Sequence, residues 1–168
     1  SAAEPSERVD LLFRLARLWQ DKKSAPDRAV RAYERVLALD PGNVRAARAL
    51  APAYAQTGEA KKLASVNEVQ LAHEREPGQR STLLGETATL YEHELGEPER
   101  AFEHYLEAFT LAPQTQAVRE ALERVAPHAN GWERVFEAYV QAIDHASDPV
   151  DAHSLRLCYG RALAAAGR

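Results

Sequence analysis

The six histidines are the first residues to test for catalytic or metal chemistry: His73, His93, His104, His128, His145 and His153. No two of them are four residues apart, the spacing that places two imidazoles on one helical face as zinc ligands. There is also no His-Glu-x-x-His motif. The glycines form no phosphate-binding loop. We therefore expect no catalytic residue, no metal site and no cofactor in this sequence.

Cys158 is the only cysteine, and it lies in the run LRLCYGRAL. A thiol that packs as a small buried hydrophobe is the simplest interpretation there. A single cysteine forms no intrachain disulfide and requires no oxidising compartment, which favours the cytoplasm without establishing the location. No apolar run approaches the length of a membrane span.

Arginine is the residue type whose spacing does suggest a binding chemistry. Arg14 and Arg17 are one helical turn apart, and Arg45 and Arg48 repeat that spacing in a stretch without Asp or Glu. The planar guanidinium holds a carboxylate with two hydrogen bonds. Two interpretations are open: the arginines only solvate a helix face, or the N-terminal part of the chain receives an acidic peptide or partner helix, with Phe13 as its apolar contact.

Net charge is distributed unevenly along the chain. Residues 1–77 contain 13 Lys and Arg against 11 Asp and Glu, which gives +2, whereas residues 78–168 contain 8 against 14, which gives −6. The total of −4 and a pI near 5.9 argue against a protein whose whole surface binds nucleic acid. We expect the acidic second half to repel an acidic ligand and so to set its direction.

Two stretches that are 72 residues apart organise the chain, PDRAVRAYERVLALDP at 26–41 and PERAFEHYLEAFTLAP at 98–113. Each begins with a proline, which suits a first helical turn, and each closes with a proline, which cannot continue a helix. Apolar residues recur at helical spacing between them. The identical pairs are Pro26/Pro98, Arg28/Arg100, Ala29/Ala101, Tyr33/Tyr105, Leu39/Leu111 and Pro41/Pro113. A fixed period of this kind indicates a repeat architecture.

The spacing Ala-x3-Tyr followed by Leu-Asp-Pro resembles the second helix of a tetratricopeptide repeat (TPR). Residues 7–21 resemble its first helix, in which a small residue at Ala16 lets the partner helix approach closely. The 72-residue step places Ala88 at the same position. The stripe that we expect to face the core consists of Leu12, Leu15, Ala16 and Trp19.

The resemblance implies an all-α fold, an α–α superhelix (TPR-like solenoid) of about nine helices in antiparallel hairpins. The predicted divisions are a flexible lead-in at 1–6, hairpin 1 at 7–42, divergent hairpin 2 at 43–78, hairpin 3 at 79–114, divergent hairpin 4 at 115–149 and a terminal or capping helix at 150–168. Hairpin 2 diverges because Asn67 or Glu68 falls where an aromatic is usual. The chain lacks Met and Pro5 is already in phase with Pro77 and Pro149, so we expect a segment of a longer array.

In the resembled family, the first helix of each hairpin lines a groove that binds an extended peptide or a partner helix. The corresponding residues here are Phe13, Arg14, Arg17, Gln20, Arg45, Arg48, Gln56, Glu86, Glu92, His93, Glu120, Arg124, His128 and Arg161. The pattern that grips the carboxylate tails of heat-shock chaperones is absent, because Arg or Ala occupies its Lys and Asn positions.

The implied function is a protein-interaction scaffold, a segment of a larger bacterial-type TPR protein, with a protein or peptide as partner. The alternative is an RNA-binding helical repeat of the half-a-TPR type, which requires basic residues along one face together with stacking aromatics. The charge distribution disfavours nucleic acid. The sequence does not indicate an oligomeric state.

Overall fold

The protein is built of helices alone in the residues that the structure, a computed structural model, describes: residues 5–21 and 26–168, with only the backbone at positions 5, 6, 20 and 21. The nine helices in this part are α1 Pro5–Asp21, α2 Pro26–Leu39, α3 Val44–Thr57, α4 Ala60–His73, α5 Pro77–Thr89, α6 Pro98–Leu111, α7 Gln116–Val125, α8 Trp132–His145 and α9 Pro149–Ala165. A π-helical segment, Leu90–Leu95, extends α5. The predicted all-α class is confirmed. Positions 1–4 of the predicted lead-in lie outside the described residues.

Prolines begin five of these helices, and their positions follow the 72-residue period. Pro5, Pro77 and Pro149 begin α1, α5 and α9, whereas Pro26 and Pro98 begin α2 and α6. The missing N–H of proline would have no partner in a first turn, and its fixed φ angle is already helical. Local backbone chemistry therefore determines where these helices begin.

Side chains and backbone geometry also mark the ends of α2 and α3. The Asn43 side chain accepts a hydrogen bond from the Ala46 backbone N–H at 3.0 Å and so caps the start of α3. Gly58, with φ of 70°, ends that helix in the left-handed conformation. α2 ends at Leu39, two residues before Pro41, because a residue that precedes proline disfavours the helical conformation.

The helices α1 to α4 belong to the first of two compact units, Ser1–His73, named unit 1. α1 and α2 are antiparallel, since Trp19 lies against Arg28 at one end and Phe13 against Tyr33 further along. α3 packs on α2 and on α4. The buried residues of this core are Phe13, Ala16, Ala29, Ala32, Tyr33, Val36, Ala46, Ala47, Leu50, Tyr54 and Val66.

The predicted core stripe of α1 is correct in part: Ala16 is fully buried, and Leu12 and Trp19 are partly buried against the core, but Phe13 joins them and Leu15 does not. The Phe13 ring is only 6% exposed and packs edge-on against Tyr33, with 5.6 Å between the ring centroids. Leu15, expected in the core, is 46% exposed, and Leu12 is half-buried. Phe13 is therefore a core residue and not an open groove contact, because its ring fills the space between α1 and α2.

Two irregular positions of unit 1 are accommodated without ending a helix. Asn67, at a position where an aromatic is usual, is 4% exposed, and its side-chain oxygen accepts a hydrogen bond from the Gln70 amide at 3.4 Å. α3 continues through Pro52 to Thr57.

The second compact unit, Glu74–Arg168, is named unit 2 and contains α5 to α9. α5 and α6 are antiparallel: the Ser81 hydroxyl donates to the Ala108 carbonyl at 3.1 Å, and Thr89 contacts the Tyr105 hydroxyl at 3.1 Å. The core of unit 2 contains more large side chains than the core of unit 1. They include Leu84, Tyr91, Phe102, Phe109, Leu122, Val135, Tyr139 and Leu155. In both units helices that follow one another in the chain pack together, most closely α1 with α2, α3 with α4 and α5 with α6, and the predicted hairpin divisions and superhelical twist stay predictions.

No helix in the described part of the chain is long and apolar enough to cross a membrane.

Candidate functional site

Four exposed arginines of unit 1 form what we name the arginine surface: Arg14 and Arg17 on α1, with Arg45 and Arg48 on α3. Both helices run antiparallel to α2, so α1 and α3 run in the same direction. Within each pair the spacing is three residues, and the two side chains therefore project from about the same face of their helix.

The contact that joins α3 to α1 on this surface is made by Arg45. Its guanidinium carbon lies 4.4 Å from the centroid of the Phe13 ring, within the range of a cation–π interaction. Arg14 is the next residue along α1, and Arg17 is one turn beyond Phe13. The buried ring thus holds the Arg45 guanidinium against the helix that carries the other two arginines.

A second polar network of unit 1 links the three helices α2, α3 and α4. The Tyr54 hydroxyl of α3 donates to the Glu34 carboxylate of α2 at 3.0 Å, and Lys62 of α4 donates to the same oxygen at 3.3 Å. Burial and the Glu34 carboxylate raise the pKa of Tyr54 to about 12. Gln56, another predicted groove residue, is exposed two positions after Tyr54.

In unit 2, Glu92 connects two residues that the sequence predicted for the groove. Arg124 donates two hydrogen bonds to its carboxylate, at 2.7 and 2.9 Å, and the ring of His93 lies 3.5 Å away. The Tyr105 hydroxyl also donates to it at 3.1 Å. The Arg124 guanidinium lowers the pKa of Glu92 below its ordinary range.

This arrangement pairs Arg124 with an internal carboxylate. The Glu92 side chain is only 12% exposed, and it lies in the π-helical segment that packs beside α6. Glu86 is exposed on α5, and none of the contacts described for this network involves it. The side chain of Gln20, also predicted for the groove, lies outside the described residues.

A cleft of about 260 Å³ lies between α7 and α9. The sequence predicted a binding role for only some of the polar residues that line it. Glu120 and Arg161 were predicted, whereas Arg119 and Ser154 were not. The residues around the cleft are Gln116, Arg119, Glu120, Glu123, Ser154, Cys158 and Arg161. The packing of α9 on the rest of unit 2 brings the two helices together, and no local sequence motif indicates that packing.

Three of the charged groups in this cleft have partners in the protein, and one of them, Glu120, accepts a hydrogen bond from the Gln116 amide at 2.7 Å. Arg119 donates to the Pro113 carbonyl at 2.8 Å, and Glu123 accepts a hydrogen bond from the Tyr139 hydroxyl at 2.5 Å. Burial and the Glu123 carboxylate raise the pKa of Tyr139. The cleft combines both signs of charge and can accept a polar side chain more readily than an anion alone.

Three histidines have a contact in common that accounts for their positions. The Nδ1 atoms of His73, His104 and His145 lie 2.7 to 2.9 Å from the carbonyl four residues earlier. His73 and His145 are the last residues of α4 and α8, at equivalent places in the 72-residue repeat. In the described residues, no group of three or more His, Cys, Asp or Glu side chains is arranged to hold a metal ion.

No protein-family model and no curated protein matches this sequence. The chain is similar to a solved structure of a thermophilic TPR protein from Thermus thermophilus, at 18% sequence identity and a TM-score of 0.31. The match covers 96% of this chain and 100% of the other. A TM-score this low does not establish a shared fold, so the architecture is described from the helices and their contacts.

Proposed function

We propose that this chain is a protein-interaction scaffold whose unit 1 binds an acidic peptide or an acidic partner helix at the arginine surface. The all-α hairpin architecture supports a scaffold, because each helix is held by packing on its neighbours and presents its outer face to solvent. The single observation that carries the proposal is the Arg45–Phe13 contact of 4.4 Å, which brings an α3 guanidinium to α1 beside Arg14.

Guanidinium groups suit this ligand for two physical reasons. Each presents a planar set of donors that matches both oxygens of a carboxylate, and each stays charged at every physiological pH. Asp10, which is exposed four residues before Arg14, can neutralise one of the four locally, by a few tenths of a kcal/mol. The remaining positive charge favours an acidic ligand and increases its association rate at low salt.

Double charge reversal tests the proposal. In the variant Arg17→Glu with Arg48→Glu, we expect an acidic fluorescent peptide of alternating Glu and Leu to bind at least about tenfold more weakly, as measured by fluorescence anisotropy. Arg45 is left unchanged, so that its contact with Phe13 is retained. Thermal melting followed by circular dichroism checks that the variant is folded.

The matched control is Lys61→Glu with Arg156→Glu, two exposed positions outside the arginine surface that undergo the same change of charge. We expect the control to keep most of the wild-type affinity. Equal loss in both variants would mean that only net charge matters and would contradict the proposal. A single-stranded RNA in the same titration tests the alternative: RNA bound more tightly than the peptide at physiological salt would replace the peptide as the ligand.

A further inference from the structure

Unit 1 has a second open surface, a cavity of about 460 Å³ between α1 and α2 that we name the α1–α2 groove. Leu12, Leu15 and Trp19 of α1 line one side, and Arg28, Arg31 and Arg35 of α2 line the other. It lies on another face of α1 than Arg17 of the arginine surface, whereas Arg14, three residues from Leu11 and four from Leu18, borders the leucines beside the groove. Arg17 is two residues from both Leu15 and Trp19, and residues two apart project roughly 200° apart around a helix.

The α1 side of the groove continues into an apolar stripe that the core does not use. Leu11, Leu15 and Leu18 are 54%, 46% and 58% exposed. Their spacing of four and three residues places them on one face of α1, which is the pattern of a helix that packs on another helix. Three neighbouring leucines so exposed are a surface on which a partner gains by excluding water.

The α2 side of the groove carries positive charge. Arg28, Arg31 and Arg35 follow one another at spacings of three and four residues, and the Arg28 guanidinium lies 4.7 Å from the Trp19 ring centroid, at one end of the groove. Glu34 also lines the cavity, but its carboxylate accepts hydrogen bonds from Tyr54 and Lys62. Glu34 is the one acid among the lining residues that the structure describes, and its charge is neutralised from the other side.

We propose that the α1–α2 groove docks an acidic amphipathic helix of a partner protein. The leucine side of the partner would pack on Leu12, Leu15 and the Leu11–Leu18 stripe, and its Glu or Asp side chains would pair with Arg31 and Arg35. A helix suits this site because the lining residues lie on two neighbouring helices, with apolar side chains on one and arginines on the other. This site lies beyond the proposed function and does not depend on it.

The test uses a labelled helical peptide of about 18 residues with leucines on one face and glutamates flanking them. We expect wild-type protein to bind it and Arg31→Glu with Arg35→Glu to bind at least about tenfold more weakly. Leu15→Gln should weaken binding similarly, because it places a polar amide on the apolar side. Arg17→Glu with Arg48→Glu should leave the affinity unchanged, which separates this groove from the arginine surface.

Every position changed is exposed, and circular dichroism melts identify any variant that is misfolded. A peptide with lysine in place of glutamate should bind more weakly than the acidic one. Equal binding of the two peptides, or unchanged affinity in Arg31→Glu with Arg35→Glu, overturns the proposal. So does a wild-type dimer in sedimentation velocity that Leu15→Gln converts to monomer, since the occupant would then be a second copy of this chain.

Discussion

Burial decides which ion pairs of unit 2 contribute to stability. Arg134 donates to Glu103 at 2.8 Å, but both side chains are at least half exposed, and such pairs contribute about 0–1 kcal/mol. Arg124 donates two hydrogen bonds to Glu92, and the Glu92 side chain is only 12% exposed. A carboxylate withdrawn from water depends on its partner, so the second pair is the more important.

Replacing Arg124 by Ala should therefore lower the free energy of unfolding by about 1–2 kcal/mol, because Glu92 loses its charged partner and keeps only the Tyr105 hydroxyl and the nearby His93. Urea denaturation measures the change. Arg156→Ala, at an exposed position on α9, is the control and should stay within about 0.5 kcal/mol of wild type. Equal effects of the two substitutions would mean that the Glu92 pair contributes nothing.

The same pair makes a pH-dependent contribution whose sign follows from the pKa of Glu92. The Arg124 hydrogen bonds lower that pKa from its ordinary value of 4.5. The folded state binds the proton less readily, so this stabilisation is fully present above about pH 4.5 and is lost as the pH falls through the lower, folded-state pKa. The stability difference between wild type and Arg124→Ala should accordingly shrink as the pH falls below about 4.5.

At the scale of the elements, the residue just before α8 is at a position where only glycine fits. Gly131 is buried, and a Cβ atom built on it would overlap the ring of Phe102 in α6. Its φ of −94° is open to any residue, so the requirement is space and not backbone conformation. Close approach of the α8 start to α6 lets Phe109 and Tyr139 meet further along, with 4.9 Å between ring centroids.

Gly131→Ala should destabilise the protein by about 1–3 kcal/mol, because the added methyl group forces the Phe102 ring or α8 to move. Gly85→Ala is the matched control. Gly85 lies inside α5 with no atom near its Cβ position, and the substitution should stabilise by about 0.5–1 kcal/mol through helix propensity. Chemical denaturation measures both. Phe102→Leu should recover part of the loss in Gly131→Ala; if Gly131→Ala melts like wild type, the close contact is not a constraint.

At the scale of the whole molecule, the two units differ in what fills their cores. Among the described residues, unit 1 buries three aromatic rings, those of Phe13, Tyr33 and Tyr54, whereas unit 2 buries six, those of Tyr91, Phe102, Tyr105, Phe109, Phe136 and Tyr139. Large side chains remove more apolar surface from water than alanine does. Each additional buried methylene group contributes about 0.8 kcal/mol to the free energy of unfolding. Unit 2 should therefore be the more stable of the two.

Expressing the units separately tests this expectation. The fragment 74–168 should give a helical circular dichroism spectrum and a cooperative melt, because its described core is built from its own helices. The fragment 1–73 should melt at a lower temperature or remain partly unfolded, given its small core. The reverse order of melting temperatures, or an unfolded 74–168 fragment, would contradict the assignment of the stronger core to unit 2.

The sequence by itself determined the helices and their order. Proline at Pro5, Pro77 and Pro149 specifies a helix start through its own ring and missing N–H, which act within one turn of chain. The small residues Ala16 and Ala88, predicted from the repeat, are both fully buried. Helix starts and repeated small residues depend on residues that are close along the chain, so they can be predicted from a single sequence.

Tertiary structure decided which face of each helix is buried and which charges are paired. A period of 3.6 residues allows either Phe13 or Leu15 to face the core beside Ala16, and only the packing against Tyr33 selected Phe13 and left Leu15 exposed. Glu92 meets Arg124 across 32 positions of chain, through a π-helical segment that no local pattern indicates. Both outcomes depend on the shape of the neighbouring helix, because side chains 100° apart on one helix are distinguished only by what packs against them.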